Sequence, residues 1–218
     1  PIRLTPVTRR FLEGASAATD GAPSRTLAAL ASGAPDASVE ALAGVCSPVY
    51  ARALDAMLRD TISATVLHGG VKYNVIPGAA WLEIDVRRLP GTTEADVEAR
   101  LRDVLGPELA AVTDIELLIG TDAVVADHEA PGSLYPILES VIREHDPEGV
   151  PLPVMVPFST DAKHLLGLGV PTFGFSPLRQ PPGETYLDRY HGVDERVSLD
   201  GLRWGLPVLY DAVRRFCE

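Results

Sequence analysis

The chain has 218 residues, of which 46% are hydrophobic, so it can bury a core for one large domain or two small ones. Its formal net charge of −11 argues against a nucleic-acid partner, because binding to phosphates needs a clustered cationic surface. The two cysteines, Cys46 and Cys217, lie outside any CxxC spacing. They therefore indicate neither a disulfide framework nor a cysteine-ligated zinc, and a reducing cytoplasm fits best.

No stretch approaches the roughly 20 apolar residues of a membrane span. The first residues also lack the apolar run and the cleavage site of a signal peptide. These two features predict no membrane partner. Because the sequence opens at Pro1 without an initiator methionine, we expect it to be part of a longer protein.

The first 60 residues are rich in alanine and leucine and are interrupted by glycine and proline, which predicts three or four short helices over residues 6–59. Residues 61–67 are β-branched and partly alternating, and residues 80–86 alternate apolar with polar side chains more clearly, so the two segments predict an antiparallel pair of strands. The residues between them contain three glycines and form a long loop. Residues 93–105 carry acidic residues early and arginines late, which favours a helix.

A strand is predicted next, over residues 114–120, and completes a β-β-α-β order. This is most of a ferredoxin-like split βαβ unit that lacks its first strand and helix. We therefore interpret residues 1–123 as a ferredoxin-like domain, incomplete at its N-terminus, with an Ala-rich helical insertion at about residues 8–59.

Beyond residue 124 the predicted helices and strands alternate. The helices are expected at 133–145, after Asp161 and at 199–216, and the strands at 152–156 and 172–175. That alternation predicts an α/β segment with a parallel or mixed sheet over residues 124–218. Ser198 is the expected N-cap of the last helix, with Asp200 near the positive end of the helix dipole.

Two polar segments near the C-terminus are the first candidates for chemistry. His191 lies in a polar loop just before the last helix, and its imidazole suits zinc; the alternative is a hydrogen-bonded loop histidine, which the residues alone favour. Thr160 and Asp161 follow a predicted strand and open a short helix, where they either cradle an anion or simply cap the helix.

Asn74 and Arg87 are the candidates in the first half of the chain. The amide of Asn74, in the glycine-bounded loop, is placed to donate to an oxyanion or a carboxylate, or else serves the turn itself. Arg87 shares a strand face with Asp85 and Glu83, so a salt bridge is the alternative to a ligand-binding role. The other histidines have no ligand-like spacing, and we interpret them as structural or exposed: His68, His128, His145 and His164.

Two blocks of sequence together resemble the M20 family of zinc-dependent aminoacylases, carboxypeptidases and deacylases, which includes succinyl-diaminopimelate desuccinylase. The first is Lys72-Tyr73-Asn74-Val75-Ile76-Pro77 with Asp85-Val86-Arg87. The second runs from Ser159-Thr160-Asp161 to His191-Gly192-Val193-Asp194-Glu195. The resemblance implies that residues 1–123 are the ferredoxin-like lid through which such enzymes form homodimers. Residues 124–218 would then be the C-terminal half of a zinc-peptidase α/β catalytic domain.

The resemblance also implies a role for each candidate residue. His191 would ligate the second zinc of a two-metal site. Asn74 would reach into an active site, commonly that of the neighbouring subunit, and Arg87 would bind the carboxylate end of an amino-acid-like substrate. The turn at Thr160 and Asp161 would lie beside the active site and hold the substrate carboxylate.

The activity implied is metal-assisted hydrolysis of an amide bond in a small substrate, an N-acyl amino acid or a dipeptide. In the family, the other zinc ligands and the general base come from an N-terminal half that has no counterpart here, so the two-zinc site would be incomplete and this chain alone is expected to be inactive. The alternative is a non-catalytic dimerisation or interaction module derived from an M20 enzyme.

Overall fold

The fold was analysed in a computed structural model, which describes residues 2–34, 38–42, 46–121, 123–130, 132–181, 183–184, 186–189 and 193–218. Its N-terminal part is helical, as the sequence predicts. The elements are α1 (Pro6–Ala17), α2 (Gly21–Ser32), a 3₁₀ turn (Val39–Leu42) and α3 (Pro48–Ala56). Thr5 and Ser47 cap α1 and α3 through their hydroxyls, and a proline follows each cap at the start of the helix.

Residues 2–58, here called the helical unit, have a core of their own. Leu12, Leu30 and Leu58 are fully buried at its centre, and α1 packs closely on α2. Met155, from the second half of the chain, packs against the same core. The helical unit therefore contacts a residue that lies beyond position 123, where the sequence predicts a domain boundary. That boundary stays a prediction.

The predicted antiparallel strands are confirmed as a β-hairpin of β1 (Thr61–Gly69) and β2 (Ala80–Arg87). Thr61 pairs with Arg87 at the base and Gly69 with Ala80 at the loop end, with an irregularity between Ala64 and Val66. His68 and Trp81, paired across the strands, stack with ring centroids 4.9 Å apart. Most side chains of both strands are exposed, including Trp81 at 59%.

The helix predicted after the hairpin is also confirmed, as α4 (Glu94–Ala110). Thr93 begins it with a capping box, in which its hydroxyl accepts from the backbone of Asp96 and the Asp96 carboxylate accepts in return. Gly106 leaves the helical conformation with φ of 72°, and Pro107 follows it, so the two parts of α4 meet at a kink. No residue of α4 is buried.

Three strand predictions are wrong. Residues 114–120, 152–156 and 172–175 form no strand, and the sheet of the described residues contains β1 and β2 alone. Their apolar and β-branched composition gives a preference for extended backbone, but a strand also needs a neighbour to complete its hydrogen bonds. The architecture is therefore mixed α+β with a two-stranded antiparallel sheet. A parallel or mixed sheet over residues 124–218 is not seen in the described part of that segment.

The second half of the chain is built on α5 (Tyr135–His145) and α8 (Leu199–Cys217). Two short helices, α6 (Ala162–Gly167) and α7 (Tyr186–Arg189), lie between them in sequence. Val141 and Val208 are fully buried where α5 packs on α8. The hydroxyl of Ser198 accepts from Gly201, which confirms the expected N-cap. No helix in the described ranges is long and apolar enough to cross a membrane.

A close backbone approach fixes one face of α8. A Cβ atom on Gly205 would lie 1.8 Å from the carbonyl oxygen of Pro177, and one on Gly201 would lie 2.4 Å from that of Arg179. These are main-chain atoms, so they cannot move aside by rotating a side chain. Glycine is therefore required where α8 passes the segment around residues 177–179.

Candidate active site

Asn74 lies in the loop that joins the two strands of the hairpin, far from any core. All residues from 70 to 79 are exposed, and the flanking Tyr73 and Ile76 are 98% and 94% exposed. Gly70 begins the loop with φ of 77°, a conformation that favours glycine. The backbone N–H of Val75 donates to the carbonyl of Lys72 and closes a turn around the asparagine. The loop therefore presents Asn74 outward.

Arg87 is the last residue of β2 and forms a bidentate salt bridge with Asp85. Its Nε and Nη2 donate to the two carboxylate oxygens of Asp85 at 2.6 and 3.1 Å. The salt bridge that the sequence offered as an alternative is therefore formed, and both side chains are about half exposed. The same planar geometry fits a carboxylate of a ligand, which would have to displace Asp85 from the guanidinium.

Asn74 and Arg87 are not brought together in one copy of the chain. Arg87 pairs with Thr61 at the base of the hairpin, whereas Asn74 lies in the loop beyond Gly69 and Ala80. The seven steps of β2 between Ala80 and Arg87 span roughly 24 Å at about 3.4 Å per residue. A small substrate cannot contact both side chains of the same hairpin.

The Thr160 and Asp161 turn is exposed and begins α6. The Thr160 hydroxyl accepts from the backbone of Ala162 at 3.3 Å, and the carbonyl of Asp161 accepts from His164. The Asp161 side chain makes no capping hydrogen bond. This is the arrangement of a helix-capping turn. No hydrogen bond or ion pair of the described residues joins it to Asn74 or Arg87, so its role in carboxylate binding stays a prediction.

His191, the predicted zinc ligand, lies outside the described residues. Within the described ranges, no group of three or more His, Cys, Asp or Glu side chains is placed to hold a metal ion. A catalytic zinc needs about three protein ligands and a water. The described residues therefore do not by themselves fit a zinc centre.

A cluster of acidic and basic side chains, which the sequence did not predict, lies where α5 meets α8. His145 Nε2 and Asp211 Oδ2 are 2.7 Å apart, and this hydrogen bond holds the pKa of Asp211 below its usual range. Nearby, hydrogen bonds from Arg215 likewise lower the pKa of Glu144. Arg179 stacks over the ring of Trp204 at 4.8 Å from its centroid.

This end of α5 also borders an open depression of about 690 Å³. His145, Asp146 and Arg179 line it, together with the turn at residues 147–149. It contains none of the predicted site residues. Its side chains are engaged with one another, since Arg179 contacts Asp146 at 3.0 Å, so we assign it to the packing of α5 and α8.

The chain thus combines a packed helical unit, an exposed hairpin carrying Asn74 and Arg87, and a helix without buried residues, which is an arrangement of the α+β type. Residues 22–113 match the M20 peptidase dimerisation domain. The resemblance to the M20 family is therefore confirmed, and the chain is related to M20 peptidases.

Curated relatives agree with this match. "Probable carboxypeptidase S-like 2" of Dictyostelium discoideum is 27% identical over 161 residues, which cover 74% of this chain and 30% of the relative. "N-fatty-acyl-amino acid synthase/hydrolase PM20D1" of Homo sapiens is 24% identical over 161 residues, covering 73% of this chain and 31% of the relative. The chain thus spans about 30% of the length of these relatives. No solved structure matches the chain significantly.

Proposed function

We propose that the chain is part of an M20-type amidohydrolase that cleaves an amide bond in a small amino-acid-like substrate. The observation that carries this proposal is that the guanidinium of Arg87, within the matched dimerisation domain, binds a carboxylate through two hydrogen bonds. Since an N-acyl amino acid or a dipeptide ends in a carboxylate, such a substrate suits an arginine that already holds a carboxylate in bidentate fashion. The name of the human relative makes N-fatty-acyl-amino acids the first substrates to test.

The separation of Asn74 and Arg87 supports a dimeric arrangement. In our proposal, Arg87 binds the substrate carboxylate in one active site, whereas Asn74 extends from the hairpin loop into the site of the other copy. There its amide donates to the oxygen on which negative charge develops. The exposed loop and the match to a dimerisation domain support this division of roles.

A metal would supply Lewis-acid activation of the carbonyl and of a water. The residues that the structure describes do not by themselves fit a zinc centre. The expectation that His191 contributes one ligand, with the rest from another segment, stays a prediction, as do the cytoplasmic location, the absence of a nucleic-acid partner and the inactivity of the chain alone.

The test is hydrolysis of N-acyl amino acids and dipeptides by this chain. It is measured with the chain alone and with an added polypeptide that carries the rest of an M20 catalytic domain, each with and without zinc. We expect Arg87→Ala to weaken binding of the substrate carboxylate about 10- to 100-fold, because a charge-assisted hydrogen bond contributes roughly 1.5–3 kcal/mol. Arg102→Ala is the matched control, since Arg102 forms a comparable exposed ion pair with Glu98 on α4.

The second candidate function is a non-catalytic dimerisation module. One observation favours it: the matched segment is a dimerisation domain. Dimerisation without hydrolysis or metal binding under every condition above would support this candidate. Hydrolysis that depends on Arg87 would exclude it.

A further inference from the structure

One carboxylate ties together the two ends of the hairpin. Asp60 lies directly before β1 and accepts a hydrogen bond from the backbone N–H of Leu89 at 2.6 Å. It also accepts from the hydroxyl of Thr92, at 3.0 and 3.1 Å to its two oxygens. Leu89 and Thr92 follow β2, so Asp60 joins the residues that enter the hairpin to those that leave it.

The segment that leads into α1 is tied to the same point. The guanidinium of Arg3 donates to the Thr92 hydroxyl at 2.7 Å and to the carbonyl of Pro90 at 3.3 Å, and it lies 3.6 Å from Asp60. The backbone N–H of Arg3 donates to the carbonyl of Leu58 at 2.7 Å. Arg3, Asp60, Leu89 and Thr92, here called the base cluster, therefore connect the hairpin to the helical unit.

Beyond its base, the hairpin has little support. Both strands are largely exposed, and no helix of the described ranges packs extensively against either strand. Leu89, in contrast, is only 3% exposed at the base. The direction in which the hairpin leaves the helical unit is therefore set at the base cluster.

The length of the hairpin makes its loop sensitive to this direction. The nine residues of β1 place the loop roughly 27 Å from the base, at about 3.4 Å per residue. Tilting such an arm by about 5° moves its far end by roughly 2 Å, while residues next to the base hardly move. Arg87 lies next to the base and Asn74 at the far end, so a tilt displaces Asn74 selectively.

We infer that Asp60 is a positioning residue for Asn74. Through the base cluster it fixes the angle of the hairpin, and so the place to which the loop carries the asparagine amide. The consequence for hydrolysis rests on the proposed function, since a displacement of about 1 Å can lower a rate by about 100-fold. The geometric role itself is independent of any activity.

The first test measures the position of the loop directly. Spin labels are attached at Lys72→Cys in the loop and at Arg25→Cys on the exposed side of α2, after Cys46→Ala and Cys217→Ser. Double electron–electron resonance then gives the distribution of distances between the labels. We expect Asp60→Ala to broaden the distribution or to shift it by about 2 Å or more. Asp60→Asn, which keeps an oxygen to accept from Leu89, is expected to restore it.

Asp103→Ala, an exposed carboxylate on α4, is the control and is expected to leave the distribution unchanged. Circular dichroism checks that each variant is folded. If Asp60→Ala does not fold, Thr92→Val removes the hydroxyl shared by Asp60 and Arg3 and takes its place in the test. An unchanged distribution in folded Asp60→Ala or Thr92→Val would overturn the positioning role, whatever the hydrolysis assay shows.

The second test uses the complemented enzyme. Asp60→Ala is expected to lower kcat about 10-fold or more while KM stays within about twofold, because Asn74 moves and Arg87 does not. A rise of KM with unchanged kcat would contradict this inference. If the wild-type enzyme hydrolyses no amide, the proposed function fails, and the distance measurement alone decides the role of Asp60.

Discussion

The helical unit and the hairpin follow each other directly in sequence but bury their apolar residues very differently. In the helical unit, Leu12, Leu30 and Leu58 are fully buried, whereas on the hairpin Leu67 and Trp81 are 76% and 59% exposed. The two regions have similar apolar residues, so hydrophobicity alone does not explain the difference. What distinguishes them is the availability of a nearby surface, which the short helices give one another and which the hairpin lacks.

The surface of the whole chain reflects the same contrast. It amounts to 14769 Å², about 1.5 times the roughly 9,700 Å² expected for a compact monomer of 23.3 kDa. Many of the exposed apolar side chains lie on the hairpin, on α4 and just beyond α4, for example Val71, Val104, Val112 and Ile119. Val71, Val104 and Val112 lie within residues 22–113, the segment that matches a peptidase dimerisation domain.

The largest effect is expected from truncating the core of the helical unit. Leu30→Ala should lower the free energy of unfolding by about 3 kcal/mol, because it removes buried methyl groups and leaves a cavity. Leu67→Ala on the hairpin should change it by less than about 0.5 kcal/mol, since that side chain is already exposed. Urea denaturation followed by circular dichroism compares the two. Equal losses would mean that the hairpin is packed in solution and that the two regions do not differ in burial.

A smaller loss is expected at the close approach between α8 and the segment before it. Gly205→Ala should destabilise the protein by about 2 kcal/mol, because the added Cβ collides with the carbonyl of Pro177. Gly167→Ala in α6 is the matched control, since a Cβ there has no neighbour within 4 Å. Calorimetric melting should show a lower Tm for the first variant only. A Tm unchanged by Gly205→Ala would show that α8 is not packed as closely as the core of the helical unit.

The smallest effect is a pH dependence where α5 meets α8. The hydrogen bond with His145 lowers the pKa of Asp211 in the folded state, so its stabilising effect is fully present above the ordinary carboxyl pKa of about 3.9. It is lost as the pH falls through the lowered folded pKa. We expect wild type to be more stable than Asp211→Asn at pH 6, and the difference to shrink as the pH falls below about 3.9 and to disappear once the pH is below the lowered folded pKa of Asp211. A difference that persists there would contradict the assignment.

The sequence predicts those parts of the fold whose signals are local. Thr5, Ser47 and Thr93 begin helices with hydroxyl caps and neighbouring prolines or acids, so the positions of α1, α3 and α4 can be derived from a few residues each. The hairpin follows from alternation on both sides of a glycine-bounded loop. The strands expected at 114–120, 152–156 and 172–175 fail because pairing depends on a neighbour that composition does not specify.

The candidate site shows the same limit. The sequence places Arg87 and Asp85 on one strand face, and their ion pair is formed. It gives no signal for Asp60, whose partners Leu89 and Thr92 lie 29 and 32 residues further along the chain. Nor does it reveal that Asn74 and Arg87 occupy opposite ends of the hairpin, since a motif records order along the chain and not distance in space.

The two tryptophans of the chain make the two regions optically separable. Trp81 is exposed on the hairpin and stacks on His68, while Trp204 lies half-buried under Arg179, with its indole N–H directed to the carbonyl of His145. Replacing either one with phenylalanine leaves a single emitter. The emission of Trp81 then reports what happens at the hairpin, and that of Trp204 reports the α5 and α8 pair, so the binding of a partner or a substrate can be assigned to one region without any external label.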